Sequence, residues 1–276
     1  MASASLRQAI NGVFALYKPR GWTSREATNA VQNFVSRELS KSHTRLQRKD
    51  RVKTGHGGTL DPMAEGVLII GLGTGCKKLH GFLGCTKVCL ALTAGTILEE
   101  DDDLHMILFL PKEYHVRATF GAATDTYDEE GEITHTAPTA SLSREAIEAI
   151  LPKYRGEILQ KPPLYSALHV QGKRLYEYAR ENRPLPVEIK PRPVHIHRLE
   201  LLEFNPPHAV FKVECGGGTY MRSLVHDMGL DLQCYAYMSG LLRTRQGDMT
   251  LENALPLVDQ EGKKCLQMSS ILKAMQ

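Results

Sequence analysis

Three kinds of side chain stand where they could do chemistry. The first is Asp61, inside Gly55-His56-Gly57-Gly58-Thr59-Leu60-Asp61-Pro62. An aspartate in a glycine-rich loop commonly serves as a turn residue that accepts backbone hydrogen bonds. Here a proline follows it directly, and the apolar run Val67-Leu68-Ile69-Ile70 lies just beyond. That combination predicts a tight loop leading into a buried strand. A carboxylate held at such a rigid edge can be a nucleophile or a charge stabiliser. His56, in the same loop, suits either phosphate binding or a structural place. The second candidate is Arg222, at the start of a helix after Gly216-Gly217-Gly218. Free N–H groups there favour anions, and the guanidinium could pair with a buried carboxylate or hold a phosphate. The glycine run itself matches no Walker or dinucleotide fingerprint. The third group is Tyr114, Tyr165 and Tyr220. A tyrosine on a strand face is ordinarily a core residue; one bordering a cleft could stack on an extruded base.

The elements that would position these groups follow from pattern. Val13 to Tyr17 is an apolar run ending at Lys18-Pro19-Arg20-Gly21, a strand and a turn. Thr23 and Glu26 have capping-box spacing, and Ala27, Ala30, Val31, Phe34 and Val35 recur at helical period. A basic arm follows, with Arg37, Lys41, Arg45, Arg48, Lys49, Arg51 and Lys53 opposed only by Glu38 and Asp50. Such a run is either a solvated loop or a phosphate-binding arm beside the Asp61 loop. Tyr114, Val116, Ala118 and Phe120 alternate with polar residues as a half-buried strand. Asp128 to Gly131 reads as a turn, and Ser143 caps a helix carrying Ala146, Ile147, Ile150 and Leu151. Phe211, Val213 and Cys215 mark another strand, and Leu224 to Leu232 the helix after the triple glycine. Strands and helices mix without a βαβ rhythm, which predicts an α+β fold with a mainly antiparallel sheet.

Composition narrows the class. The chain has 276 residues, 42% hydrophobic and 24% charged, enough for a sizeable core. It lacks an apolar stretch of the roughly 20 residues a membrane span needs, and a secretory leader is not expected at its start. Its six cysteines are scattered with no C-x-x-C pair, the usage of reduced thiols in an intracellular protein; no metal site is expected. Nucleus, cytoplasm and mitochondrion stay open. The net charge of +3 hides an uneven distribution, because Glu99 to Asp103 are five consecutive acids. Outside that run the chain is markedly basic, as befits a protein that meets phosphates.

Taken together, these pieces resemble the TruB family of pseudouridine synthases. Lys18-Pro19-x-Gly21-x-Thr23-Ser24 is similar to that family's opening motif. Gly55 to Asp61, continued by Pro62-Met63-Ala64-x-Gly66-Val67-Leu68, is similar to its catalytic motif nearly residue for residue. Further matching blocks are Gly121-x-x-Thr124-Asp125-Thr126-x-Asp128-x-x-Gly131, Pro162-Pro163-x-Tyr165-Ser166-Ala167, Gly172-x-Arg174-x-Tyr176-Glu177, Gly218-Thr219-Tyr220-x-Arg222-Ser223-Leu224 and Leu241 to Gly247. The resemblance implies a pseudouridine synthase fold with a mainly antiparallel mixed sheet and an RNA-binding cleft. It implies Asp61 as catalytic aspartate, Tyr114 as the tyrosine stacked on the target uracil, and Arg222 as the arginine that pairs with the aspartate. Leu241 would line the base pocket and His56 would lie where the nucleotide leaves the stack. Lys18, Tyr165 and Lys53 complete the implied substrate-binding set. The implied substrate is RNA, foremost the T-loop uridine U55 of the tRNA T arm, with mRNA as a further class. Isomerisation needs no cofactor, and the expectation is a monomer without a membrane or an obligatory protein partner.

The chain departs from the pattern in three places. Residues 88–112 intervene where the family passes almost directly to the Tyr114 strand, so the catalytic domain, residues 8–255, is expected to carry an atypical acidic insertion there. If that insertion disrupts the site, the alternative is an impaired RNA-binding or RNA-folding factor. Residues 256–276 read as a short tail with one helix around Leu266 to Met275, which implies a eukaryotic-like member without a C-terminal PUA domain. His169 stands where the family usually has a lysine. A glycoside hydrolase acting on nucleosides also suits a carboxylate near C1′, but no second acid is paired with Asp61 in sequence.

Overall fold

A computed structural model describes residues 10–40, 47–83, 110–181, 183–259 and 261–275. Most of the 88–112 segment, and Lys41 and Arg45 of the basic arm, lie outside the described residues. The elements begin with β1 (Gly12–Lys18), α1 (Ser24–Ser40), β2 (Thr54–His56), β3 (Glu65–Leu72), α2 (Leu79–Leu83), β4 (Lys112–Phe120), β5 (Ala122–Thr124) and β6 (Ile133–Thr136). There follow α3 (Arg144–Ile150), β7 (Gly156–Gln160), β8 (His169–Val170), β9 (Lys173–Arg174), α4 (Leu175–Arg180), β10 (Arg192–Asn205) and β11 (His208–Cys215). The last are α5 (Met221–Asp231), β12 (Ala236–Gln246), β13 (Met249–Thr250), β14 (Leu255–Pro256) and α6 (Met268–Ala274). The class is mixed α+β, as the pattern predicts.

The chain divides into two compact units, one of residues 1–113 and 242–276, the other of 114–241. In the first, the sheet order is β14-β1-β3-β12, with β2 pairing β3 and β13 pairing β12. β1 and β3 run antiparallel, whereas β14 joins β1 and β12 joins β3 in parallel. Both faces of the β1–β3 pair are covered, which explains why β3 reads as a continuous apolar run. Phe14, Leu16, Leu68, Ile70 and Leu72 pack against Ala27, Ala30, Val31, Val35 and Leu39 of α1. Ala15, Val67 and Ile69 face the other way, against Leu79 and Phe82. Each fully buried Val, Leu or Ile contributes roughly 1.5–3 kcal/mol. The C-terminal residues belong to this core: Leu257 and Ile271 are buried in it, and Leu266, Met268 and Leu272 pack around them. Thr23 and Glu26 form the expected capping box, with Glu26 Oε2 accepting from the Thr23 amide and hydroxyl, each at 2.8 Å.

One expectation needs correction. The glycine-rich stretch is not a loop from its first residue, because Thr54–His56 pairs antiparallel with β3, Gly55 opposite Gly71 and His56 opposite Ile70. The physical reason is space. A Cβ on Gly55 would meet the Leu79 side chain at 2.9 Å, so glycine lets the start of α2 rest on the strand.

In the second unit the strand order is β12-β4-β11-β10-β7, and β5–β6 and β8–β9 form separate two-stranded sheets. β4 and β11 bury alternate residues, as their patterns predict. The Ser143 hydroxyl accepts from the Ala146 amide at 3.1 Å and caps α3. The last residues of the 88–112 segment are built into the first unit: the Gly247 amide donates to the Pro111 carbonyl at 3.0 Å, and Lys112 opens β4.

Candidate active site

In the first unit, the stretch that carries Asp61 is held by its backbone at nearly every residue. The Gly57 amide donates to Ile69 O at 2.9 Å, and Gly57 O accepts Gln246 Nε2 at 2.6 Å. Gly58 O accepts Arg243 Nη2 at 3.2 Å, while Arg243 Nε donates to Val67 O at 2.7 Å. Arg243 and Gln246 are both buried, so these are interior clamps rather than surface charges. The Ser24 hydroxyl accepts from the Leu60 amide at 2.8 Å and donates to Leu60 O at 3.0 Å. Asp61 O accepts from the Ala64 amide at 3.1 Å, and Pro62 O accepts from the Gly21 amide at 2.9 Å. Leu60, Met63 and Ala64 are buried around the partly exposed Asp61. Gly66, at φ +104°, lets β3 approach β12 so closely that a Cβ would overlap the Arg243 carbonyl. The result is a carboxylate on a backbone with little freedom to move, which is the support a reactive group requires.

Lys18, implied to touch substrate, is fully buried. Its ammonium donates to Trp22 O at 2.5 Å, Pro19 O at 3.0 Å and Pro62 O at 3.3 Å, which ties the opening motif to the residue after Asp61. Nearby, Tyr17 donates its phenol to Glu65 Oε2 at 2.7 Å; burial, with this bond and the Glu65 charge adding to it, pushes that phenol up to about 12. His56 is partly buried in β2, and Lys53 is exposed just before it. The arm itself is tacked to α1: the Val52 amide donates to Ser36 Oγ at 3.0 Å and Gln32 Nε2 to Val52 O at 2.8 Å. Val52 packs on the core, leaving Arg51 and Lys53 exposed on either side.

In the second unit, three of the sequence blocks converge on Arg222, which is only 5% exposed. Its guanidinium donates to Thr126 O at 3.1 Å and Tyr165 O at 2.8 Å, and Nη1 lies 3.5 Å from Asp128 Oδ2. Asp128 is in turn fixed by Thr126 Oγ1 at 2.5 Å and the Glu130 amide at 3.1 Å. Tyr127 between them takes a left-handed backbone, φ +64°, with its ring stacked on His226 at 3.8 Å. The start of α5 is anchored as well: Gln160 exchanges two hydrogen bonds with the Tyr220 backbone, and Ser223 Oγ donates to Lys161 O. Tyr165 is partly exposed, with its hydroxyl 3.5 Å from Asp125 Oδ2. Tyr114 and Leu241 are buried on β4 and β12. Asp61, Lys18, His56 and Lys53 thus belong to the first unit, and Tyr114, Arg222, Tyr165 and Leu241 to the second. Asp128, Ser24, Arg243 and Gln246 were missed as contributors. Asp128 had a visible signal in its threonine-flanked block but reads as an ordinary turn residue.

Comparison with known sequences decides the family. The profile described as TruB family pseudouridylate synthase (N terminal domain) matches residues 44–105 and 103–221. The chain belongs to the TruB family. The two matched pieces overlap at residues 103–105, within the acidic 88–112 segment. Among TruB relatives, the mouse protein named pseudouridylate synthase TRUB1 is 39% identical over 259 residues, covering 92% of this chain and 69% of the relative. A Bacteroides fragilis protein named tRNA pseudouridine synthase B is 37% identical over 238 residues, 86% of this chain and 87% of the relative. Among solved structures, a chain of a Cbf5-Nop10-Gar1 complex superposes with a TM-score of 0.62 at 25% identity; the match covers 98% of this TruB-family chain and 61% of that one.

Proposed function

We propose that this chain is a tRNA pseudouridine synthase that isomerises the T-loop uridine U55, with Asp61 as its catalytic carboxylate. Membership of the TruB family supports the activity, and the relatives' names support tRNA as the substrate class. The observation that carries the residue assignment is the Asp61 stretch, whose backbone is pinned on both sides of the carboxylate.

The reaction breaks the C1′–N1 bond of uridine, turns the uracil within the enzyme, and joins C5 to C1′. The C5 proton leaves and N1 gains one, so the product is an isomer and no electrons are exchanged. Asp61 acts either as nucleophile on the sugar or as the base that starts glycal formation. The target base must leave the RNA stack, at a cost of a few kcal/mol. Stacking on Tyr114 returns roughly 1–3 kcal/mol of that. Arg222 supplies the guanidinium charge, and Leu241 the apolar wall of the base pocket. Incubation with an unmodified tRNA transcript, followed by pseudouridine mapping, should give one modified T-loop position. Asp61→Asn should lower the rate on the order of 10³-fold or more. Near-normal turnover by that variant would remove Asp61 from the reaction.

A further inference from the structure

Two adjacent hydroxyls open α1, and they do different work. Thr23 caps the helix at the surface by exchanging hydrogen bonds with Glu26. Ser24, 2% exposed, takes no part in that cap and turns its hydroxyl to Leu60, the residue before Asp61. One oxygen therefore serves both backbone groups of Leu60, accepting from its amide and donating to its carbonyl. The carbonyl belongs to the peptide plane that ends at the Asp61 nitrogen, so this bond sets the orientation in which Asp61 enters. On the far side, the next plane is fixed by Asp61 O accepting from the Ala64 amide. Ser24 thus supplies a side-chain hydrogen bond to the plane that precedes Asp61.

We propose that Ser24 is a positioning residue for the isomerisation: its two-way hydrogen bond with Leu60 holds the Asp61 carboxylate in the geometry from which it reacts. This rests on the reading of Asp61 as the catalytic group. It assigns the serine of the opening motif a role in turnover, separate from starting the helix. Loss of the hydroxyl frees the Leu60–Asp61 peptide to rotate, and a displacement of the order of 1 Å at a reacting group costs about 10²-fold in rate.

The test uses the full chain and a tRNA transcript labelled with tritium at uridine C5, from which bond formation at C5 releases the label. Ser24→Ala should lower kcat about 10–100-fold while KM stays within about twofold, because RNA contacts are untouched. Thr23→Ala, which weakens the same helix end without touching Leu60, should keep kcat near that of the unaltered chain. If Ser24→Ala does not fold, Ser24→Cys keeps the volume while its thiol is a weak donor and acceptor, and it should show the same loss of kcat. Unchanged kcat in both Ser24 variants, an equal loss in Thr23→Ala, or a rise in KM alone would overturn the proposal. Asp61→Asn, run in parallel, separates the two levels: if it still turns over, the reading of Asp61 fails, whatever Ser24 does.

Discussion

At the scale of single residues, burial decides which charges matter. Arg222 and Asp128 are both almost fully enclosed, and their 3.5 Å approach is reinforced by backbone hydrogen bonds, Arg222 donating to two carbonyls and Asp128 accepting from the Glu130 amide. The exposed Arg144–Glu148 pair is closer, at 3.2 Å, but water and salt screen it. Removing one partner of a buried pair leaves the other charge desolvated without compensation. Asp128→Ala should therefore destabilise the protein by about 3 kcal/mol, whereas Glu148→Ala should cost less than about 1 kcal/mol. Urea denaturation of both variants checks this; equal midpoints would contradict it. The sequence exposed Arg222 as a candidate because it follows a glycine run. It hid Asp128, since an aspartate beside Thr126 and Gly131 looks like any turn residue until the guanidinium is seen against it.

At the scale of elements, α5 carries an internal conflict. Asp227 is mostly buried and lies one turn before Asp231, and burial first, then the like charge, pushes its carboxyl up to about 6. Asp231 has its own support in Lys153 and the Tyr154 hydroxyl, each at 3.1 Å, although it stands at the unfavourable C-terminal end of the helix dipole. The folded protein thus holds the Asp227 proton more tightly than the unfolded chain, whose value lies near 3.8. Stability from this group is intact below that lower value and is lost as pH rises through about 6. Asp227→Asn should match the parent near pH 3.5 and exceed it above pH 6 by on the order of 1 kcal/mol, a few degrees in Tm, after allowance for partial exposure. Melting curves across that range provide the check; a constant offset at every pH would exclude the account. Elements with a strong period, such as α1, β4 and β11, were legible because their burial repeats, and β3 because its apolar run is unbroken. β2 was not, because a strand of three residues, Thr54–His56, is too short to carry an alternating pattern and depends on the partner it meets.

At the scale of the whole chain, charge is the property most relevant to RNA. Arg48, Lys49, Arg51 and Lys53 are exposed, and the Val52 anchor presents the last two from a fixed backbone. If they meet phosphates, their removal weakens binding without changing which uridine is chosen. Replacing Arg48 and Lys49 by Gln should reduce the steepness of log affinity against log salt by about one to two. Filter binding of a tRNA transcript at several salt concentrations measures it, and an unchanged slope would return the arm to an ordinary solvated loop.

The order of motif residues along the chain was enough to name the family, because side-chain type and spacing survive in sequence. The same holds for the apolar periods that built the core of each unit. The clamps on the Asp61 stretch were a different matter. Ser24, Arg243 and Gln246 act through hydrogen bonds to backbone groups that any residue carries, so nothing in their partners' identities announces the contact. Lys18 was implied to touch substrate, and only the fold shows its buried ammonium donating to the carbonyl oxygens of Pro19, Trp22 and Pro62. Folding brings those oxygens within reach, and a linear sequence contains no record of that distance.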